Sequence, residues 1–269
     1  MKTETMENVK VPADRWEIIE EYSFAEPQAR ESNELLIDTG NNQMLKAIKS
    51  RIERDEEIQA LWNCSNVVAM KRLGYSDHGK QHVEIVADHS LQLLSMLRKA
   101  GVSPSSMADY GLTYDDAELI VFLAACLHDV GHSIHRDNHS QYSIWVAAPL
   151  LNRILDGFYS TEIKTIITSE VLHSISVHHK DSKPLTIEAG ILRVADALDM
   201  AHGRTRLWDD ANHQHNIHAI SAQAIESVEI VDGGAKPILV RINMSSSAGV
   251  FQIDELLRPK LCGSGIQEY

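Results

Sequence analysis

The chain has 269 residues, 43% apolar, 6% aromatic and 23% charged, the balance of a globular protein long enough to bury one or two cores. Asp and Glu number 38 against 25 Lys and Arg, a formal charge of −13, and the acid excess recurs in every third of the chain, so no segment reads as a basic arm for a nucleic-acid backbone. The longest apolar run, Leu119 to Leu127, falls far short of the ~20 residues that cross a bilayer, and the acidic amino terminus lacks the basic start of an export signal, so no membrane partner is expected.

Residues 1–34 carry Pro12, Pro27 and many acids with weak periodicity, and read as an irregular lead-in. From Leu35 to Leu73, apolar residues three and four apart (Leu45, Ile48, Ile52, then Ile58, Leu61, Trp62) predict helices that Gly74 stops. Ser76 or Asp77 can cap the next helix, whose stripe His82, Val86, His89, Leu93 and Leu97 turns His82 inward. Gly, Pro and Ser density makes Gly101–Thr113 a loop. Thr113 and Asp116 resemble a capping pair for a helix that is apolar on all sides to Leu127, the mark of a central element. Its end delivers His128 and Asp129, then Gly131. Further helices are expected over 140–155, 160–178 and 188–201. In the tail, residues 227–232 and 237–243 alternate around Gly233-Gly234, a hairpin signal, with a third strand placed at 249–253. The expected fold is mainly α: a lead-in at 1–34, an all-helical bundle at 35–218 and a small C-terminal α+β subdomain at 219–269.

Cys64, Cys126 and Cys262 are odd in number and far apart, which fits a reducing, cytoplasmic setting without disulfides. Histidine is the outlier, with 14 residues and eleven of them between His78 and His202. Imidazole concentrated in an acidic chain is the residue pattern of a metal site. His82, His128-Asp129 and Asp196 each interrupt the apolar surface of a separate predicted element, and burying such groups without a partner costs several kcal/mol. Two imidazoles and two carboxylates converging in a bundle can fill four positions of an octahedral divalent ion and leave two for water or substrate. Asp199, three residues past Asp196 on the same face, competes with it for that role.

Histidine, then His-Asp, then a distant aspartate resembles the signature of the HD-domain metal-dependent phosphohydrolases. The likeness spans about residues 76 to 202, including Leu123-Ala-Ala-Cys-Leu-His-Asp-Val-Gly131 and Ile191-Leu-Arg-Val-Ala-Asp196. Arg136-Asp-Asn-His139 and the β-rich tail look closest to small microbial HD hydrolases related to the HD domain of ribonuclease Y. The resemblance implies His82, His128, Asp129 and Asp196 as ligands, with Asp199 behind them, and His128 and Asp129 at the centre of catalysis. In members with two ions, His139 and His178 are the matching extra ligands, with His179 the substitute for His178 and Asp129 bridging ions roughly 3.5 to 4 Å apart. Gly131 sits between His128 and His139 and argues against their sharing one helix face.

Around the expected mouth, Arg136, Lys80, His132 and His179 are candidates for substrate binding, with Lys180 and Lys183 weaker ones, and His132 or His179 a candidate proton donor. His213, His215 and His218 lack a regular element to make them a metal clip, and His173 and His202 read as structural. The implied cofactor is one or two divalent ions (Mn, Fe, Co, Ni, Zn or Mg), with Mn or Fe favoured because imidazole ligands disfavour Mg. The implied activity is hydrolysis of a phosphomonoester or phosphodiester in a small, nucleotide-like substrate by metal-activated water. Short RNA and a homodimer are left open. The rival readings are a nucleotide-binding regulatory module without turnover and a di-iron oxygenase.

Overall fold

The structure, a computed structural model, describes residues 33–179, 181–201 and 217–269. The described residues from Glu34 to Tyr269 form one compact unit. In chain order its elements are α1 (Gln43–Glu53), α2 (Glu56–Asn66), α3 (Lys80–Lys99), α4 (Ser105–Tyr110), α5 (Tyr114–Leu127), α6 (His139–Ile154), α7 (Thr161–Val177), α8 (Ile187–Leu198), α9 (Ile217–Gln223), β1 (Ile225–Asp232), β2 (Ile238–Met244), α10 (Val250–Gln252) and α11 (Arg258–Leu261). Among the described residues no helix is long and apolar enough to cross a membrane.

The organising element is α5, buried from Leu119 to Leu127 without a break and flanked by α3, α7 and α8. Its start is fixed by a reciprocal cap: Thr113 Oγ1 accepts from the Asp116 amide at 3.2 Å while Asp116 accepts from the Thr113 amide at 2.9 Å. A helix with hydrocarbon on every side cannot shift without exposing it, so the residues at its end are held as firmly as the core itself. Past His128 the chain makes a 3-10 turn, Val130–Ser133, and re-enters as α6 through Asn138 in the left-handed conformation, φ 60°. Gly131 permits this return: a Cβ there would lie 2.1 Å from the His139 carbonyl oxygen, and the Gly131 amide donates to Ser143 Oγ at 2.8 Å.

In the tail, β1 and β2 pair antiparallel with Asp232 opposite Ile238 and a bulge between Ile225 and Ser227. Val228 and Ile230 on one strand and Ile238, Val240, Ile242 and Met244 on the other turn toward the core. The core cluster takes in Ile225, Leu257 and Ile266 as well as the helical bundle.

Three local expectations are corrected. The stretch 101–113 is not all loop, since Ser105–Tyr110 is α4, anchored where the Ser105 and Ser106 amides donate to the buried Glu188 carboxylate at 3.1 and 2.9 Å. The segment 249–253 is helical rather than a third strand; Leu257 and Leu261, one helical turn apart, pack inward just after it, and among the described residues the sheet has two strands. The last bundle helix stops at Leu198, because Asp199 leaves the helical conformation at ψ 70°.

Candidate metal centre

Side chains from α3, α5 and its following turn, α6, α7 and α8 meet at the end of α5. Asp129, 6% exposed, stands at the middle with its two oxygens facing opposite ways. Oδ2 lies 3.4 Å from His82 Nε2 and 3.4 Å from His128 Nε2, and Asp196 Oδ1 completes that side at 3.5 Å from His82 Nε2. Oδ1 lies 3.3 Å from His139 Nε2 and 3.7 Å from His178 Nε2. Three groups, His82–His128–Asp196, His139–His178–His179 and His78–Asp129–His132, each bring their ligand atoms within 4.8 Å of one another.

The tautomers follow from the outer partners, since a carbonyl oxygen can only accept. His128 Nδ1 donates to the Ala125 carbonyl at 2.9 Å, His139 Nδ1 to Arg136 at 2.9 Å and His178 Nδ1 to Ile175 at 2.7 Å. His82 Nδ1 donates to Asp199 Oδ2 at 2.6 Å. In each ring Nε2 is then the inward atom. His82 Nε2 and His128 Nε2 are 3.1 Å apart, and His139 Nε2 and His178 Nε2 are 3.2 Å apart. Burial holds His128 and His178 below the ordinary histidine range, favouring neutral rings. With each Nδ1 turned to its outer partner, the Nε2 atoms of the two pairs converge on the Asp129 oxygens, an arrangement that a shared cation fits. The donor set, imidazole nitrogens and carboxylate oxygens, fits a divalent transition metal.

The carboxylates remain ionised here. Burial alone would raise Asp129, but positive charge among the imidazoles, on His128 or His132 first, draws it well below its ordinary value; where the rings are neutral, a bound cation would supply that charge. Burial acts the same way on Asp196, and the Lys260 ammonium, followed by His128 and His82, more than reverses it. Lys260, on α11, forms an ion pair with Asp196 Oδ2, the oxygen that Oδ1 leaves free.

Of the residues singled out from sequence, His82, His128, Asp129, Asp196, His139 and His178 come together. His139 does so across the Gly131 break, because the turn folds α6 back instead of carrying it away. Asp199 lies behind His82, where its Oδ2 accepts from His82 Nδ1. His132 was expected at the mouth and is instead fully buried beneath the site: it stacks on His139 at 4.0 Å, its Nε2 lies 3.6 Å from Asp129 Oδ1, and burial pushes its pKa down to about 3. Arg136 is half-buried, reaching His132 Nε2 at 3.2 Å and lying over the Tyr75 ring. His179 is half-buried beside His139 and His178. Lys80 pairs with Glu84 at 3.3 Å, one turn along α3. His173 accepts the Leu185 amide, a structural contact. Lys180, His202, His213, His215 and the side chain of His218 lie outside the described residues.

Two participants escaped the sequence reading. His78 Nε2 lies 4.0 Å from Asp129 Oδ2, and it stands in the irregular stretch just before α3, where no helical spacing flags it. Lys260 carried no signal, being 64 residues from its partner in an unremarkable helical turn.

The profile of the HD domain matches residues 86–201, which contain His128, Asp129, His139, His178 and Asp196 and begin just after His82. The chain is 40% identical over 224 residues to the uncharacterized protein MJ1020 of Methanocaldococcus jannaschii, covering 83% of this chain and 86% of that one. No solved structure gives a significant match. The chain belongs to the HD-domain family, whose members are in general metal-dependent phosphohydrolases.

Proposed function

We propose that the protein is a metal-dependent phosphohydrolase acting on a phosphoester of a small, nucleotide-like molecule, with His82, His128, Asp129 and Asp196 holding one divalent ion and Asp129, His139 and His178 holding a second. The observation that carries this reading is Asp129 between two pairs of imidazoles whose Nε2 atoms face each other at 3.1 and 3.2 Å. Divalent ions held there supply Lewis acidity for phosphoryl oxygens and lower the pKa of water toward neutrality.

The chain's own contribution is placement. Asp129 ties the two halves of the site together, and the outer hydrogen bonds from Nδ1 fix each ring so that Nε2 faces inward. The hydrocarbon around α5 fixes the spacing of these groups before substrate arrives. Arg136, half-buried beside His132, and His179, half-buried beside His139, are partly open to solvent at the edge of the cluster and in this reading meet the phosphoryl group. Burial pushes His179 down to about 4, which suits a neutral hydrogen-bonding group better than an acid at neutral pH. Mn²⁺ is the preferred ion in this reading, on the ground of the mixed nitrogen and oxygen donors.

A second reading draws on the same six residues. A full set of six ligands for two ions also suits a di-iron centre that oxidises its substrate with dioxygen. A panel of phosphomonoesters, phosphodiesters and nucleotides with Mn²⁺, Co²⁺ and Ni²⁺, run beside Asp129→Ala, separates the two. Phosphate or nucleotide release that disappears in Asp129→Ala supports the hydrolase. Bound iron with oxygen uptake and no phosphorus product supports the oxygenase.

A further inference from the structure

The C-terminal segment covers one face of α8 at positions three residues apart. At Gly190 a Cβ would lie 2.2 Å from the Ser264 carbonyl oxygen, so the two backbones touch. One helical step on, the buried Arg193 donates to the carbonyls of Ser182 and Pro259, tying the loop after His179 to α11. A further step brings Asp196 and Lys260 together. The Lys260 side chain is 15% exposed, unusual for a residue type that normally keeps its ammonium in water. The contacts at Gly190 and Arg193 fix the backbone that presents it, so Lys260 is built into the centre although it lies outside the residues that match the HD domain.

We propose that Lys260 is a positioning residue of the metal centre: by retaining Oδ2 of Asp196 it leaves Oδ1 alone for an ion, and so sets how tightly an ion is held and how many places stay open around it. The inference rests on the metal-binding reading of the site. A carboxylate can grip a divalent ion with both oxygens or present one, and an ammonium on the second oxygen enforces the latter. Its influence is opposite in sign to that of Asp199. A carboxylate behind His82 strengthens the imidazole as a donor, whereas a cation on Asp196 weakens the carboxylate and repels the incoming ion. Removing the Lys260 charge should therefore tighten metal binding, where loss of an outer partner ordinarily loosens it.

The test is Mn²⁺ binding to the full-length, metal-stripped protein for wild type, Lys260→Met, Lys260→Gln and Lys260→Arg, with melting profiles to show that each is folded. Lys260→Gln keeps a hydrogen-bond donor, and covers the case in which methionine disturbs packing. The neutral variants should bind about tenfold more tightly, and Lys260→Arg should stay within about twofold of wild type. With Co²⁺, visible absorption should weaken in the neutral variants as the second oxygen of Asp196 joins the ion and its coordination number rises. Neutral variants that bind like wild type or more weakly overturn the proposal, as does an arginine variant that shifts as far as they do. Absence of any Mn²⁺ uptake by wild type removes the metal reading itself, and the inference with it; uptake without a difference removes the inference alone.

Discussion

The two sides of Asp129 are built from the same residue types to different specifications. On the Oδ2 side, His82 and His128 are joined by a second carboxylate, Asp196, and backed by two more charges, Asp199 behind His82 and Lys260 behind Asp196. On the Oδ1 side, among the described residues, His139 and His178 each donate Nδ1 to a main-chain carbonyl, and the imidazoles of His132 and His179 stand beside them. One side carries its charges in reserve; the other is nearly all imidazole nitrogen. An ion on the Oδ2 side gains more Coulomb energy in a water-poor site, so that side should hold its metal more tightly and the Oδ1 side should empty first.

The largest effect should come from removing what the sides share. Asp129→Ala is expected to lower phosphoester turnover by about a thousandfold or more and to reduce bound metal on both sides. Turnover equal to wild type across the substrate panel would end the catalytic reading. Next in size, His178→Ala should lower the metal content from about two ions per chain to about one, measured by elemental analysis after equilibrium dialysis. The retained ion should resist a chelator as it does in wild type. If both ions are lost together, the sides are not separable as argued. Asp199→Asn touches only the Oδ2 side, and should weaken metal binding there about tenfold by taking the negative charge from behind His82. An unchanged isotherm would show that the 2.6 Å contact serves packing rather than ligation.

How much of this was legible in the sequence follows the range of the interaction. The nine-residue apolar run named α5, the Thr113 cap named its start, and the polar pair at its end could be placed because periodicity is local. His82 could be turned inward on its stripe for the same reason. What remained hidden was set by return paths of the chain. A Gly at 131 announces a break, but not that the break folds His139 back onto Asp129 at 3.3 Å. His132 looked like a mouth residue because it follows the His-Asp pair, and the same tight turn buries it beneath the site. Lys260 reaches Asp196 through a backbone contact at Gly190 that no spacing rule encodes. The short α4 was missed because Pro104 and the nearby serines, which signal turns, here start a helix whose first amides find Glu188.

A further predicted effect concerns acid, and it reaches both sides at once. Burial holds His128 and His178 below their ordinary value of 6.5 and pushes His132 down to about 3. In the unfolded chain all three return to about 6.5 and take up protons that the folded state refuses. Below that pH the unfolded state binds more protons, so stability rises with pH and is lost as the solution is acidified from 6.5 toward the folded values. The slope is at most about 1.4 kcal/mol per pH unit for each such histidine. Asp129 and Asp196, held well below 3.8, act with the same sign but only in more acidic solution, so a loss between pH 7.5 and 5.5 belongs to the imidazoles. For chelator-treated protein this should appear as a melting temperature lower at pH 5.5 by on the order of 10 °C. His178→Gln should flatten part of the slope, since glutamine has no proton to gain on unfolding. A melting temperature that stays level would mean that the metal-free protein already shares protons between the facing Nε2 atoms; an incoming ion would then have to displace them, and metal affinity would show the steep pH dependence that stability lacks.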